Sequence, residues 1–590
     1  MYSPSPLLTS SPLHLLTFSP SNFPTFFVLL FHPKILIKIK NKMPEPNCPT
    51  HPFNKIALSF SGGGYRAASF HLGTMSYLNR LNWGGTPLLN QVKMISTVSG
   101  GTIPGVIYAL QKQEDKTFEE IYNFLLDRLE NLDLLKESFI KLSTEGIWNN
   151  KTKRRNIINA FAEIYDEHYT FGKTLEEFRH LDSHLEAVVY NSTEFNNGLN
   201  FRFRNKGKFN GSARVIVPYA VAVEIKLSDV LASSSCFPGG FEPMLWPNDF
   251  VHADSINLEK HAKNNRTVGL MDGGIYDNQG IESVLKYNSK AGEPYFDLVI
   301  VSDVSSPNMS SFKATNVDDT WFSKRTFQDF IKYNVRFNWI LLGAIIALLC
   351  PLIFGLGNEF LLGICSGLAF SLVAVLIFKV WAIKKVSNKI KSSVEKLVGP
   401  NFDFYKSKIG PLSIARVPFG TLSVLLKDRI VSLSILMQEV FLKVVRRLNY
   451  NKLYVDNDYK LRRISTLIKG LTEQDFSKYK SSLPDSSTIT YDNFVGQRIA
   501  QTVTEASSFG TTLWFTETEG MNNVLHKLVA TGQLTMCFNM MIYLNKWIKD
   551  DEGNFDRLST KDQKQMRELL EQCKGDWVKF REDPEFMVGR

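Results

Sequence analysis

Between Lys55 and Pro307, short apolar runs alternate with amphipathic stretches. Ile56–Phe60, Val92–Ser96, Leu185–Tyr190, Ala213–Pro218, Val221–Ile225, Val268–Met271 and Phe296–Asp303 read as strands. Each is brief, apolar and bounded by turn residues. Ala67–Leu81 and Thr117–Leu135 carry apolar residues at helical spacing and read as helices. Strands alternating with helices predict an α/β layered domain around a largely parallel sheet.

The pattern changes after Arg336. From there to Lys379 the only charged residue is Glu359. Trp339–Leu356 is an apolar run of 18 residues and Phe360–Phe378 one of 19, with Gly357-Asn358-Glu359 as a polar turn between them. Each run as a helix reaches about 27–29 Å, close to the hydrocarbon thickness of a bilayer. The expectation is a two-helix transmembrane hairpin over 336–385, with Gly363 and Gly367 as a small-residue pair for close helix approach. A hairpin buried in a soluble core is the competing reading. Lys332 and Arg336 precede the runs, and Lys379, Lys384, Lys385, Lys389 and Lys391 follow them. Both ends therefore point to the cytoplasmic side, and the soluble parts before and after share that compartment.

Residues 395–550 return to helical patterning, notably Leu422–Leu448, with a turn-rich stretch at Ser481–Ser487. They read as a helical continuation of the catalytic domain, and the charged 551–590 as a surface helix and tail. Residues 1–42 are rich in Ser, Pro, Leu, Thr and Phe and contain no carboxylate. They do not fit a secretory signal; a transit peptide stays open as a reading although such peptides favour Arg, which is absent here, and disorder is expected over 1–50, with Met43 an alternative start. Six widely separated cysteines without CxxC spacing support neither a zinc site nor a disulfide framework. The net charge of +10 lacks the basic helix or aromatic-interleaved patch of a nucleic-acid binder, and fits an anionic membrane surface better.

Two turns carry chemistry. Gly62-Gly63-Gly64-Tyr65-Arg66 follows the first strand and opens a helix, offering bare N–H groups where negative charge is stabilised. Thr97-Val98-Ser99-Gly100-Gly101 follows the second strand, in the strand–turn–helix setting that exposes a nucleophilic serine, although Thr97 stands where the G-x-S-x-G elbow has glycine. Gly62-x-Gly64-x-x-Ala67 also matches a dinucleotide fingerprint. That reading needs an acid about twenty residues on, and none occurs between Pro46 and Gln113. No Gly-Lys-Ser/Thr follows either, which excludes a Walker loop. The base for Ser99 must then come from elsewhere. Asp272, at the end of an apolar run and before Gly273-Gly274, is the strongest choice; Asp277 reads as a turn cap, Asp254 as a weaker option and His71 as a packed core residue. In a triad reading of α/β-hydrolase type, His526 is the only histidine after Asp272.

Together these residues resemble the patatin-like phospholipases, with Gly62–Arg66 as the oxyanion loop, Thr97–Gly101 as the nucleophile elbow and Asp272-Gly273-Gly274 as the catalytic aspartate block. Ala232–Pro238 resembles the family's small-residue–Pro segment. The likeness covers roughly 53–305 and implies a three-layer α/β domain over 51–325 with a mainly parallel sheet. It further implies lipid acyl hydrolysis by a Ser99–Asp272 dyad, with Gly62, Gly63 and Gly64 holding the oxyanion and no cofactor or metal. Arg66 would orient the loop or meet a substrate anion. The implied partners are a membrane phospholipid or other acyl-ester lipid and the bilayer itself, with no nucleic acid. A catalytically inactive, membrane-tethered lipid-binding scaffold is the alternative from another class.

Overall fold

The computed structural model describes residues 50–589, apart from 145–146, 149–151, 208–209, 289–293, 306–311, 399–415, 481–482 and 484–488. The expected disordered N-terminal segment and most of the Ser481–Ser487 stretch lie outside the described residues. Eight strands build the sheet that matters here: β1 (Ile56–Phe60), β2 (Val92–Val98), β3 (Ala187–Glu194), β4 (Leu199–Arg204), β5 (Met244–Trp246), β6 (Val268–Asp272), β7 (Leu298–Asp303) and β8 (Arg463–Leu467). They are ordered β8-β7-β1-β2-β3-β4, and the first five are mutually parallel. β4 is antiparallel to β3, while β6 runs antiparallel to β3 and β5 to β6. β1, β2 and β7 are buried almost throughout, which is why they read as continuous apolar runs rather than alternating ones. Because β2 and β7 flank β1 on opposite sides, a crevice opens at the carboxyl ends of these strands, where α/β sheets bind ligands.

Among the helices, α1 (Gly64–Arg80) and α2 (Thr102–Gln113) follow β1 and β2; α3 (Phe327–Phe354) and α4 (Glu359–Val398) form the apolar pair; α5 (Phe419–Ile435), α6 (Leu442–Tyr454), α7 (Val524–Ile548) and α8 (Thr560–Glu582) come after it. The mixed, mainly parallel α/β architecture is as expected. Two strand readings change. Val221–Ile225 is instead the end of a helical turn, Tyr219–Ala222, entered from Pro218, followed by a turn and bend, because a short apolar run suits more than one element. Ala213–Pro218 shrinks to the two-residue Ile216–Val217.

The part after the apolar pair is more than a helical appendage. β8 extends the parallel sheet beyond β7, pairing Ile300 with Ile464. α7 lies against α1 with almost no side chain between them: a Cβ on Gly73 would sit 2.0 Å from the Val529 carbonyl oxygen, and one on Gly532 2.1 Å from that of Phe70. The segment read as a charged surface tail instead buries Met566, Cys573, Trp577 and Phe580 through α8. Asp576 of that helix takes a two-pronged ion pair from Arg80, at 2.8 and 2.6 Å. The acid-free region around Arg80 is therefore partly neutralised by a carboxylate almost 500 residues away.

Phe327–Phe354 and Glu359–Lys385 are each long and apolar enough to cross a membrane, and only 11% and 6% of their most apolar windows are buried by protein. The two helices are therefore not covered by the rest of the described chain. Gly355, in the left-handed region at φ 63°, ends α3, and Asn358 Oδ1 accepts from Leu361 N–H at 3.0 Å to start α4. Gly363 and Gly367 do not mediate helix approach: a Cβ on either would meet nothing within 4 Å. Among the described residues of the pair the buried ones are Leu341, Ile345 and Ala369, so the small residue on the contact stripe is the alanine.

Candidate active site

Strand register explains how Ser99 and Asp272 meet. β2 pairs with β3 up to Val98 opposite Asn191, and β6 arrives from the other direction to end with Asp272 opposite the next residue, Ser192. Two strands thus converge end to end along one edge of β3, and both chains must leave the sheet at the same point. Ser99 takes φ 52°, a left-handed conformation that costs a non-glycine residue roughly 1–3 kcal/mol and turns its hydroxyl out of the sheet. Gly100 is required beneath it, since a Cβ there would lie 2.1 Å from the Gly64 carbonyl oxygen. Gly273 is likewise pinned against the Asn191 carbonyl, at 2.3 Å from the place a Cβ would take.

Thr97 is accommodated from the helix side. Its hydroxyl donates to Thr102 Oγ1 at 3.0 Å, and its methyl faces Gly105, where a Cβ would come within 2.4 Å. The space that glycine leaves in the usual elbow is supplied here by Gly105, one turn into α2.

Asp272 is buried, and burial raises its pKa from the ordinary carboxylate range to about 6. A side-chain hydrogen bond from Ser99 and the Gly274 N–H, which donates to Oδ1 at 2.7 Å, oppose that rise. The Ser99 hydroxyl is therefore bonded to a carboxylate that is fully ionised only above neutrality. Ser234, from the Ala232–Pro238 segment, locks the junction. Its Oγ donates to the Asn191 carbonyl at 2.7 Å and accepts from Ser99 N–H at 3.0 Å, with Thr102 Oγ1 at 2.9 Å.

The glycine loop lies beside Ser99 because β1 and β2 end in register, Phe60 opposite Thr97. Its three N–H groups are not equivalent. Gly62 N–H is engaged by Asn278, through the backbone carbonyl at 2.9 Å and Oδ1 at 3.0 Å. Gly63 and Gly64 sit at φ 148° and 59° at the N-terminus of α1, where backbone N–H groups lack partners within the helix. Asn278 escaped the sequence reading, since nothing marks an asparagine six residues after Asp272 as a loop clamp.

Other candidates fall into supporting places. His71 is buried and stacked on Phe60, its Nε2 2.9 Å from the Ser61 carbonyl and its Nδ1 2.7 Å from Ser302 Oγ. A carbonyl can only accept, so Nε2 carries the proton and Nδ1 accepts from Ser302; burial lowers its pKa to about 4, which keeps the ring neutral. Asp277 caps a turn, accepting from the N–H groups of Gln279, Gly280 and Glu282. Asp254 is exposed and outside the cavity. His526 is not among the cavity-lining residues and faces Glu585 at 3.9 Å, because it begins α7 beside the C-terminal segment. The triad arrangement is not assembled. Arg66 Nη1 donates to the Phe509 carbonyl at 2.6 Å, and burial, then Arg446, lower its pKa to about 10.

Ser99, Asp272 and the glycine loop open into a cavity of about 530 Å³. Phe161, Phe237, Phe241, Ile275, Leu513 and Trp514 give it apolar walls, and Arg66 and Arg446 also line it. Part of this lining comes from after the apolar hairpin: Leu442, Lys443 and Arg446 of α6, and Ser508–Leu513 with Trp514. The Thr512 carbonyl accepts from Tyr65 N–H at 2.8 Å, so this late segment is bonded to the glycine loop itself.

A serine on a strained elbow, a buried carboxylate bonded to it and a glycine loop at a helix N-terminus thus line one cavity. Residues 58–285 match the patatin-like phospholipase family, and the chain carries a patatin-like phospholipase domain, a domain of lipid ester hydrolases. Among solved structures, human GIVD cytosolic phospholipase A2 is similar at 13% identity, covering 43% of this chain and 41% of that one, with a TM-score of 0.26. VipD from Legionella pneumophila is similar at 14% identity, covering 92% of each chain, with a TM-score of 0.22. The chain thus spans less than half the length of the human enzyme. Comparison with curated proteins gives no match.

Proposed function

We propose that this protein is a membrane-anchored serine hydrolase that cleaves fatty acyl esters of membrane lipids through a Ser99–Asp272 dyad. The observation that carries this reading is the end-to-end meeting of β2 and β6, which delivers the serine and its carboxylate to one point. Asp272 takes the hydroxyl proton as Ser99 Oγ attacks the acyl carbonyl carbon, and the carbonyl π electrons move onto oxygen. The N–H groups of Gly63 and Gly64 receive that oxyanion, while Gly62, engaged by Asn278, holds the loop in shape. Collapse expels the alcohol, which recovers the proton from Asp272. Water then attacks the acyl-enzyme with the same carboxylate as base, releasing the fatty acid. A base with a pKa of about 6 suits this work near neutral pH, being ionised yet still basic.

The apolar walls favour an acyl chain, and Arg66 with Arg446 favours an anionic headgroup beside it. Arg66 also orients the loop through Phe509. The hairpin is read as two spans whose basic flanks keep the catalytic part on the cytoplasmic side. A fluorophosphonate probe should label the intact protein and fail to label Ser99→Ala. Absence of labelling in a folded sample would favour a lipid-binding scaffold instead.

A further inference from the structure

The membrane anchor and the catalytic cavity are joined by one helix. α5 begins at the foot of α3: Phe419 N–H donates to the Arg325 carbonyl at 2.7 Å and Gly420 N–H to that of Ser323 at 2.9 Å. The Phe419 ring packs against Phe322, Phe327 and Phe330 at 5.1, 4.7 and 5.4 Å. The helix continues through a π-helical turn, Leu436–Phe441, into α6, whose Leu442, Lys443 and Arg446 line the cavity. At 1.5 Å per residue, the path from Phe419 to Leu442 is about 35 Å.

Along that path the apolar side chains are left uncovered. Leu426, Ile430, Leu433, Leu436 and Met437 are 64%, 60%, 56%, 52% and 50% exposed. Between Arg429 and Lys443 the sequence carries a single charge, Glu439. An apolar strip of this length in water is unfavourable and calls for a covering partner. The helix cannot be a third span, since Lys427-Asp428-Arg429 would fall within it, and Asp428 is tied to Thr315 N–H at 3.2 Å. Its first residues are fixed to the foot of the hairpin by the Phe419 and Gly420 bonds, and the exposed Lys427 and Arg429, with Arg447 just beyond in α6, accompany it as cations suited to an anionic leaflet.

We propose that Phe419–Phe441 lies in the cytoplasmic interface of the same membrane, holding the mouth of the cavity at headgroup depth so that lipid reaches Ser99 without crossing water. This rests on the membrane anchoring proposed above. The occupant of the apolar strip is the bilayer rather than a second copy of the chain.

The test uses the full chain reconstituted in vesicles of phosphatidylcholine with one-third phosphatidylserine. A nitrobenzoxadiazole label on Leu433→Cys should emit at blue-shifted wavelength and be quenched by doxyl-labelled phospholipid, relative to the same label on Thr86→Cys. Solvent-like emission without quenching overturns the proposal, as does a blue shift insensitive to doxyl lipid and accompanied by cross-links between copies. This readout needs no catalysis, so it decides the placement even if Ser99 proves inactive. In the active protein, Leu433→Asp with Leu436→Asp should slow vesicle hydrolysis at least tenfold. Turnover of water-soluble p-nitrophenyl butyrate should stay within twofold of the parent, and equal vesicle rates would also overturn the proposal.

Discussion

Residues 58–285 supply the serine, the aspartate and the glycine loop, while residues 442–588 supply β8, the helix against α1 and the opposite wall of the cavity. The first region carries its chemistry in short local motifs, because an elbow or an N–H cradle depends on neighbours one or two residues away. The second carries none, because a strand or a wall depends only on being apolar, small or extended at the right place. The two meet at backbone carbonyls of the second: Thr512 on Tyr65 N–H, Val529 against Gly73, and Phe509 on the Arg66 guanidinium. A motif-bearing region can therefore look like a complete enzyme in the sequence while its site is closed by a region with no signature.

The sharpest way to separate the regions is Asp272→Asn, which should lower kcat/KM by about 10³–10⁴ with the fold intact. The same change should stabilise the protein at pH 7.5. Asp272 has its folded pKa raised, so its favourable contribution is complete below pH 3.8 and lost as pH rises through about 6. Removing the titration returns about 3 kcal/mol at pH 7.5, so the Asp272→Asn variant should melt several degrees higher there and show no advantage near pH 4. An unchanged melting curve would mean that the carboxylate is not held in its charged form against burial.

Next in size, Gly63→Ala keeps its N–H but cannot hold φ 148° without strain, so the proposed oxyanion donor should be displaced and kcat should fall by about 10²–10³. Its Cβ would also press on Val304 Cγ2 at 2.5 Å, so a thermal melt must accompany the kinetics. Gly532→Ala probes the second region. Its Cβ would meet the Phe70 carbonyl at 2.1 Å, and about 3 kcal/mol or more of destabilisation is expected in denaturant melts. If this substitution were silent, the two regions would be joined far more loosely than their packing indicates.

The pH profile comes next. kcat/KM should fall tenfold per unit below about pH 6 as Asp272 is protonated, and level off above it. A midpoint near 4 would place the base in a solvated setting instead. Smallest is Arg446→Ala. It should raise KM several-fold for anionic phospholipids and little for neutral esters, since the guanidinium is also tied to Asp303 at 3.1 Å.

Much of this was legible beforehand for a physical reason. Ser99, Gly62–Gly64 and Asp272 each lie at the end of an apolar strand, and such ends are marked by glycine whatever the rest of the fold does. Thr97 looked like a defect because the residue that relieves it, Gly105, sits eight positions on in a different element. Gly363 and Gly367 looked like a helix seam because spacing alone cannot say which stripe faces the partner. The five-residue β8 and the buried face of α8 were hidden by their polar neighbours.

The sequence by itself determined the α/β class, the two apolar runs and the candidates proposed as nucleophile, base and loop, all of which follow from local pattern and local stereochemistry. Only the tertiary structure decided which glycine N–H is already engaged, which histidines stand aside, and that the region after the hairpin completes the sheet and walls the cavity. Those facts depend on contacts between residues hundreds of positions apart, and distance along the chain leaves no trace of them in composition or spacing.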